Sequence, residues 1–244
     1  MTKPSRPPAG LSVPRSVAVI MDGNGRWARS KGFERVRGHE HGTTAVRETV
    51  ETCADLGVEA LTLYAFSEEN WRRPALEIKF LMALLKRFLV KERDNIMKNN
   101  IRLLHAGRRT KLSKDILREL DKTIEMSAGN DGMRLCLAVS YGGRAELADA
   151  VGEIARKVKS GELQPEDVDE ALISQHLYQP DLPHPDLLIR TANEMRVSNF
   201  LLWQISYAEI YVTDVCWPDF REEHLWAAFE EFGKRTRRFG AVST

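Results

Sequence analysis

Four short segments hold the residues best able to do chemistry. The first, Met21-Asp22-Gly23-Asn24-Gly25-Arg26-Trp27, puts one carboxylate beside two glycines and an arginine. Glycines let backbone N–H groups approach a ligand closely and cradle phosphate oxygens where a helix begins. A carboxylate is a poor neighbour for phosphate unless a divalent cation lies between them, and magnesium is held in that way, by a carboxylate, diphosphate oxygens and water. A tight turn with Asp22 as helix N-cap is the competing reading of this segment alone. Neither G-x-x-x-x-G-K-[ST] nor a post-strand G-x-G-x-x-G occurs. The second segment, Phe66-Ser67-Glu68-Glu69-Asn70-Trp71-Arg72-Arg73-Pro74, is a polar cluster before an apolar helix, readable also as a loop ending in an N1 proline. The third, residues 189–200, offers Arg190, Arg196 and Ser198, two guanidiniums and a hydroxyl suited to bidentate capture of a diphosphate. In the fourth, Glu209 follows Tyr207-Ala208; a solvated glutamate is the plain reading and a second magnesium ligand the chemical one.

These segments need a scaffold, and the hydrophobic pattern supplies it. Residues 16–21, 60–66, 101–106 and 133–139 read as short buried strands, with later strands at 187–190 and 210–215. Helical periods follow at 43–56, from Pro74 through Leu81, Leu84, Leu85, Phe88 and Leu89, at 112–127, at 144–159 and at 222–238. Alternation of this kind predicts an α/β fold: a single domain with a mostly parallel central sheet of about six strands, flanked by helices through right-handed crossovers. Residues 1–14 carry four prolines and no helical or strand period, so a disordered tail is expected there, ahead of one domain over 15–244. In open parallel sheets ligands gather at the carboxyl ends of the strands, where the first three segments fall.

The chain has 244 residues, 36 Lys+Arg against 35 Asp+Glu, and 43% hydrophobic residues, enough for a substantial core. Near-balanced charge argues against a whole-chain nucleic-acid footprint, although basic runs such as Lys234 to Arg238 leave local anion binding open. No run of about 18 apolar residues exists, and the first dozen residues lack a signal-peptide apolar core. Cys53, Cys136 and Cys216 are far apart, with no CxxC pair, which points to a reducing cytoplasm.

The motifs MDGNGRWA at 21–28, GHEHG at 38–42, LTLYAFSEENWRRP at 61–74, SYGGR at 140–144, IRTANEMRVSNFLLWQISYAE at 189–209 and TDVCWPDF at 213–220 resemble, in order, those of the cis-prenyltransferase family, most closely its bacterial undecaprenyl diphosphate synthases. The DDxxD signature of trans-prenyltransferases is absent. The resemblance runs over nearly the whole chain and implies an enzyme that adds isopentenyl diphosphate repeatedly to farnesyl diphosphate in cis geometry, giving undecaprenyl diphosphate, the lipid carrier precursor for cell-wall polysaccharide. It implies Mg2+ as cofactor, with Asp22 and Glu209 as metal ligands and Asp22 as the essential carboxylate. Gly23, Asn24, Gly25, Arg26, Arg35 and His39 would hold the allylic diphosphate. Trp27, Ser67, Glu68, Glu69, Trp71 and Arg73 would line the substrate site, and Arg190, Arg196, Val197 and Ser198 would take isopentenyl diphosphate. Asn70 is implied as catalytic, but a neutral amide is a very weak base, so the departing diphosphate or a water held by Asn70 is the expected proton acceptor.

The resemblance further implies an apolar tunnel walled by the Leu81–Leu89 helix, with Ala65 at its passage and Met133 at its floor. Arg238-Phe239-Gly240 resembles an R-x-G tail that completes the partner's site, hence a homodimer with Arg238 and Gly240 among the substrate-binding residues. An apolar product implies release through loose peripheral contact with a membrane. The chain departs from the family pattern with Ala192-Asn193 for Gly-Gly, and with Cys136 and Ser140 for Asn. A shorter or longer polyprenyl product is the runner-up. A non-catalytic partner subunit would lack Asp22, and an RNA-binding module would want more stacking aromatics than Trp27 and Phe33.

Overall fold

The computed structural model describes residues 7–235. Six strands form one sheet: β1 (Ser16–Ile20), β2 (Ala60–Ser67), β3 (Arg102–Ala106), β4 (Arg134–Tyr141), β5 (Leu187–Arg190) and β6 (Glu209–Val212). Their spatial order is β3-β4-β2-β1-β5-β6, and every pairing is parallel. The helices are α1 (Asn24–Ser30), α2 (Arg35–Asp55), α3 (Ala75–Lys91), α4 (Arg93–Lys98), α5 (Lys114–Met126), α6 (Gly143–Ser160), α7 (Glu170–Gln175) and α8 (Glu222–Gly233). A 3-10 turn, Glu68–Arg72, joins β2 to α3.

Parallel strands covered on both faces must be apolar throughout, and β1 is buried at all five positions. Val17 and Val19 point into the larger core with Leu61, Leu63, Leu135, Leu137 and the inner faces of α2, α3, α5 and α8. Ala18 and Ile20 point into a second core with Ala138, Leu188, Tyr141 and Phe200. Among the described residues no helix is long and apolar enough to cross a membrane.

Two register shifts matter for the site. Tyr64 pairs with Ala138 and Phe66 with Val139, so Ala65 is an extra residue on β2; Ser67 then pairs with Tyr141, so Ser140 is an extra residue on β4. Bulges of this kind re-aim side chains next to functional sites. Ser140 has a left-handed backbone, φ 53°.

Several expectations need correction. The second helix starts at Arg35, not at 43, because its first two turns pack by glycine and polar groups rather than by an apolar period. The short helices α1, α4 and α7 carry too little period to be seen in the sequence. The disordered tail does not extend to residue 14: Leu11 and Val13 pack on the larger core, and Pro14 is buried. Residues 1–6 of that tail lie outside the described residues.

Candidate active site

The carboxyl ends of β1 and β5 meet at Asp22. Thr191, fully buried after β5, accepts the Asp22 N–H at 2.8 Å and donates to the Asp22 carbonyl at 2.7 Å, fixing the residue that follows β1. Asp22 Oδ1 accepts the Gly23 N–H at 2.7 Å, and Oδ2 accepts Arg190 Nη2 at 2.8 Å. Gly23 is required twice over. Its φ is +96°, and a Cβ there would meet the Ala192 Cβ at 2.7 Å and Cys216 Sγ at 2.9 Å.

The Arg190 guanidinium organises the strand ends. Its side chain is 4% exposed, and Nη1 donates to Ser198 Oγ at 2.7 Å and to the Arg196 carbonyl. Nε is buried with no partner among the described residues. Arg196 reaches within 3.9 Å of Asp22 and pairs with Glu194, which also pairs with Arg26 at 2.9 Å. Burial pushes the Asp22 carboxyl up, but hydrogen bonds from Arg190 and Gly23 and the charges of Arg190 and Arg26 outweigh it and hold it below the ordinary aspartate range. Val197 packs into the second core and orients the Ser198 turn. Arg190, Arg196 and Ser198 therefore do converge, as the sequence motif implies.

A second basic group stands across Asp22. Arg35 and Arg73 share one carboxylate oxygen of Glu77, at 3.2 and 3.0 Å. His39 lies beside them with Nε2 buried and unpartnered among the described residues, and burial, then Arg73 and Arg35, lower its imidazole to about 4. One carboxylate against two guanidiniums leaves this corner in want of an anion. Glu77 was not expected from the sequence; its i,i+4 spacing from Arg73 was the available signal. Asn24, 8% exposed, closes the corner by donating Nδ2 to the Met21 carbonyl at 3.0 Å.

From this corner a largely apolar cavity, open to solvent at its mouth, runs between the sheet and helices α2 and α3. Asn24, His39, Asn70 and Arg73 line its polar end; Leu81, Leu84, Leu85 and Phe88 line one wall, and Leu63, Ala65 and Leu137 another. Leu89 and Met133, expected in the wall and floor, instead pack in the closed core at 0% and 5% exposure. The Ala65 bulge explains why this strand residue reaches the cavity.

The Glu68–Arg72 turn is held by its own amide. Asn70 Oδ1 accepts the Ser67 N–H at 3.2 Å, so what Asn70 can offer a ligand is its NH2 donor, not a base. Trp71 donates Nε1 to Ser140 Oγ at 2.9 Å, and Ser140 donates to Glu68 Oε1 at 2.6 Å; Lys111 pairs with Glu68 Oε2 at 2.6 Å. Glu69 accepts Asn199 Nδ2 at 2.8 Å. Trp27 does not line the apolar cavity. Its ring packs on His41 and Phe33 and borders a separate open depression with Arg26 and Cys216.

The expected metal pair is not brought together within this chain. Glu209 opens β6 opposite Leu187, whereas Arg190 and Asp22 lie at the other end of the sheet. Three residues at ~3.3 Å each put Glu209 roughly 10 Å below the level of Arg190. It pairs instead with Arg235 at 2.8 Å. Among the described residues no three His, Cys, Asp or Glu side chains gather as a metal site. A lone carboxylate at Asp22 does fit magnesium chemistry provided substrate oxygens supply other ligands. Arg238 and Gly240 lie outside the described residues.

The departures from the family pattern are accommodated. Ala192 and Asn193 take the left-handed backbone that glycines would supply, φ 67° and 56°, and their N–H groups donate to Val215 and Thr213 carbonyls at 2.8 and 2.7 Å. Cys136 is buried in the second core.

The prenyltransferase family described as undecaprenyl diphosphate synthase matches residues 20–240. An isoprenyl transferase of Rhodopirellula baltica is 47% identical, over 98% of each chain. A ditrans,polycis-undecaprenyl-diphosphate synthase of Vibrio cholerae, described as specific for (2E,6E)-farnesyl diphosphate, is 48% identical over 94% of this chain and 92% of its own. The crystal structure of lavandulyl diphosphate synthase from Lavandula x intermedia, in complex with dimethylallyl diphosphate, superposes with a TM-score of 0.92 at 36% identity, covering 94% of this chain and 99% of that one.

Proposed function

The chain belongs to the undecaprenyl diphosphate synthase family of cis-prenyltransferases, and from that membership we propose that it extends farnesyl diphosphate by repeated cis addition of isopentenyl diphosphate to give undecaprenyl diphosphate. The observation that carries the reading is the cavity itself: an apolar channel whose polar end holds His39 and Arg73, beside an Asp22 already gripped by Arg190.

The residues divide the work as follows. Arg35, Arg73 and His39 take the allylic diphosphate, exchanging Glu77 for the stronger anion. The neutral His39 presents a hydrogen-bonding Nε2 without adding charge. Arg190, through its unpartnered Nε, and Arg196 with Ser198 hold isopentenyl diphosphate next to Asp22. Charge developing on the leaving oxygen is met by guanidiniums fixed in advance, which is where such sites gain most of their rate. Asp22, with substrate oxygens, would hold Mg2+, which when bound supplies charge neutralisation at the diphosphate. The Asn70 NH2 positions a water or a diphosphate oxygen toward the proton that is lost, and the apolar walls from Leu81 to Phe88 take up the growing tail.

A homodimer is part of the same reading: Glu209, remote from Asp22 in its own chain, would serve a partner's site, as would Arg238 and Gly240. The setting is cytoplasmic, with loose membrane contact at product release and a polyprenyl carrier for cell-wall synthesis as the outcome. The test is incubation of the purified protein with farnesyl diphosphate, radiolabelled isopentenyl diphosphate and Mg2+, followed by sizing of the dephosphorylated product. A ladder ending at eleven isoprene units supports the reading; elongation ending elsewhere supports the same chemistry with another product length, and no elongation overturns it.

A further inference from the structure

The SYGGR motif at 140–144 supplies none of the groups placed around the substrates above, yet both its glycines are tightly enclosed. A Cβ on Gly142 would meet Asn199 Nδ2 at 2.7 Å, and one on Gly143 would meet Leu202 Cγ at 2.7 Å. The glycines make room for the loop that follows Ser198. Asn199 fills that room and is bonded from three directions. Its carbonyl accepts the Gly143 N–H at 2.7 Å, its Oδ1 accepts the Arg144 N–H at 2.9 Å, and its Nδ2 donates to Glu69 Oε1 at 2.8 Å. The preceding carbonyl, of Ser198, accepts the Tyr64 hydroxyl at 3.3 Å.

This loop is held against its own preference. Ser198, Asn199 and Leu201 all have left-handed backbones, φ 47°, 60° and 45°, and non-glycine residues keep such angles only where surrounding contacts impose them. Asparagine is the side chain that best tolerates this conformation while bonding both a backbone N–H and a carboxylate. The neighbour so fixed is Ser198, whose Oγ accepts Arg190 Nη1 at 2.7 Å, and Arg190 in turn grips Asp22. On the other side, Glu69 belongs to the turn that closes β2 beside the cavity mouth. Burial pushes the Glu69 carboxyl up, but the Asn199 hydrogen bond and the turn's own bonds outweigh it, so the carboxylate stays a charged acceptor.

We propose that Asn199 is a positioning residue for the isopentenyl diphosphate side of the site, tying the Arg190–Ser198 pair to the β4–α6 junction and, through Glu69, to the turn beside the allylic side. This rests on the functional reading above and deepens it: Asn199 touches neither substrate, and sets the distance between the groups that do. Its loss releases Ser198 and Arg196 while leaving Arg35, Arg73 and His39 as they are. The effect therefore falls on one substrate and not on the other.

The test is steady-state kinetics of the full chain with both diphosphates and Mg2+, for wild type, Asn199→Ala, Asn199→Asp, Glu69→Gln and the double variant Asn199→Asp/Glu69→Gln. Asn199→Ala and Asn199→Asp are expected to raise KM for isopentenyl diphosphate about tenfold, the worth of a hydrogen bond to a charged group, with KM for farnesyl diphosphate within about twofold of wild type. Asn199→Asp faces Glu69 with a second carboxylate, whereas the double variant restores one donor facing one acceptor, so relative to Glu69→Gln alone most of the loss should be recovered. Thermal midpoints accompany each variant. Equal changes in both KM values, a loss that tracks the midpoint, unchanged kinetics or no recovery in the double variant would each overturn the proposal. Wild type that elongates nothing in the same assay would instead remove the functional reading.

Discussion

Arg190 donates Nη2 to Asp22 Oδ2 at 2.8 Å from a side chain almost wholly withdrawn from solvent, while the Asp22 side chain keeps 33% of its exposure. The asymmetry sets the order of events. The guanidinium is a fixture of the fold, held also by Ser198 and the Arg196 carbonyl, whereas the carboxylate keeps an open edge for a substrate-bound cation. A buried guanidinium needs its partner, because an uncompensated charge in the interior costs more than the pair contributes.

Asp22→Asn should therefore separate chemistry from folding. The amide keeps the shape and an oxygen for Arg190 but cannot grip a divalent ion, so turnover should fall by about 10²- to 10³-fold, the range seen when one preorganised electrostatic group is removed. The unfolding free energy should fall as well, by about 3 kcal/mol, since the amide leaves the buried Arg190 without its counter-charge, so turnover is compared per folded molecule. Turnover is read with saturating substrates and Mg2+, stability by urea titration. Near-normal turnover in this variant would remove Asp22 from the mechanism.

Ala65→Leu tests the cavity. The β2 bulge aims this small residue at the channel, between Leu63 and the α3 wall. A leucine there narrows the passage without touching Arg35, Arg73 or Arg190. The first condensations should proceed while the product ladder stops several units short of the wild-type length. An unchanged ladder would place the growing tail elsewhere.

Much of the framework was legible because parallel strands between two layers must be apolar on both faces, and a run such as Val17 to Ile20 has few other uses. The helix at Arg35 was not, since Gly38 and Gly42 place it by close approach to Asn24 and Trp217, a relationship no hydrophobic period encodes. At the site, Arg190, Arg196 and Ser198 were readable because they share one loop. Glu77 was not, because an acidic residue in a helix's first turn is ordinary and its importance comes only from Arg35 arriving from another helix. Trp27 and Glu209 show what a motif does not carry. A motif names residues without saying which way they face, and only register shows that Glu209 begins its strand at the far end of the sheet. Leu89 fits the same helical stripe as Phe88 yet faces the closed core, one residue's rotation away from the cavity.

Ala192→Gly should stabilise the protein. Alanine at φ 67° bears the steric cost of a left-handed backbone, about 1–2 kcal/mol, while the N–H to Val215 carbonyl bond is indifferent to the side chain. Greater freedom in the unfolded chain returns part of that gain, so a net increase of about 0.5–1 kcal/mol is expected by urea titration. A decrease would mean that the buried methyl packs better against Gly23 than its backbone strain costs.

His39 makes stability depend on pH in a window that can be named. Its imidazole titrates at about 4 in the folded protein against 6.5 for an ordinary histidine, because burial comes first and Arg73 and Arg35 add to it. The unfolded chain therefore binds more protons between those values, so this residue costs stability as pH falls from about 6.5 toward 4 and costs nothing at pH 7 and above. The full shift would be worth about 3 kcal/mol at 1.36 kcal/mol per pH unit, reached only below pH 4, and roughly 1 kcal/mol less at pH 4.5. His39→Asn, which keeps a hydrogen-bonding tip without a titrating ring, should remove this contribution. Urea titrations of both proteins at pH 7 and pH 5 isolate it, since every other group's change is shared. Wild type should lose about 1–2 kcal/mol more than His39→Asn over that interval. Equal losses would show that Nε2 is solvated or protonated in the native state, and the corner formed with Arg35 and Arg73 would then present a third positive charge to the diphosphate instead of a neutral donor.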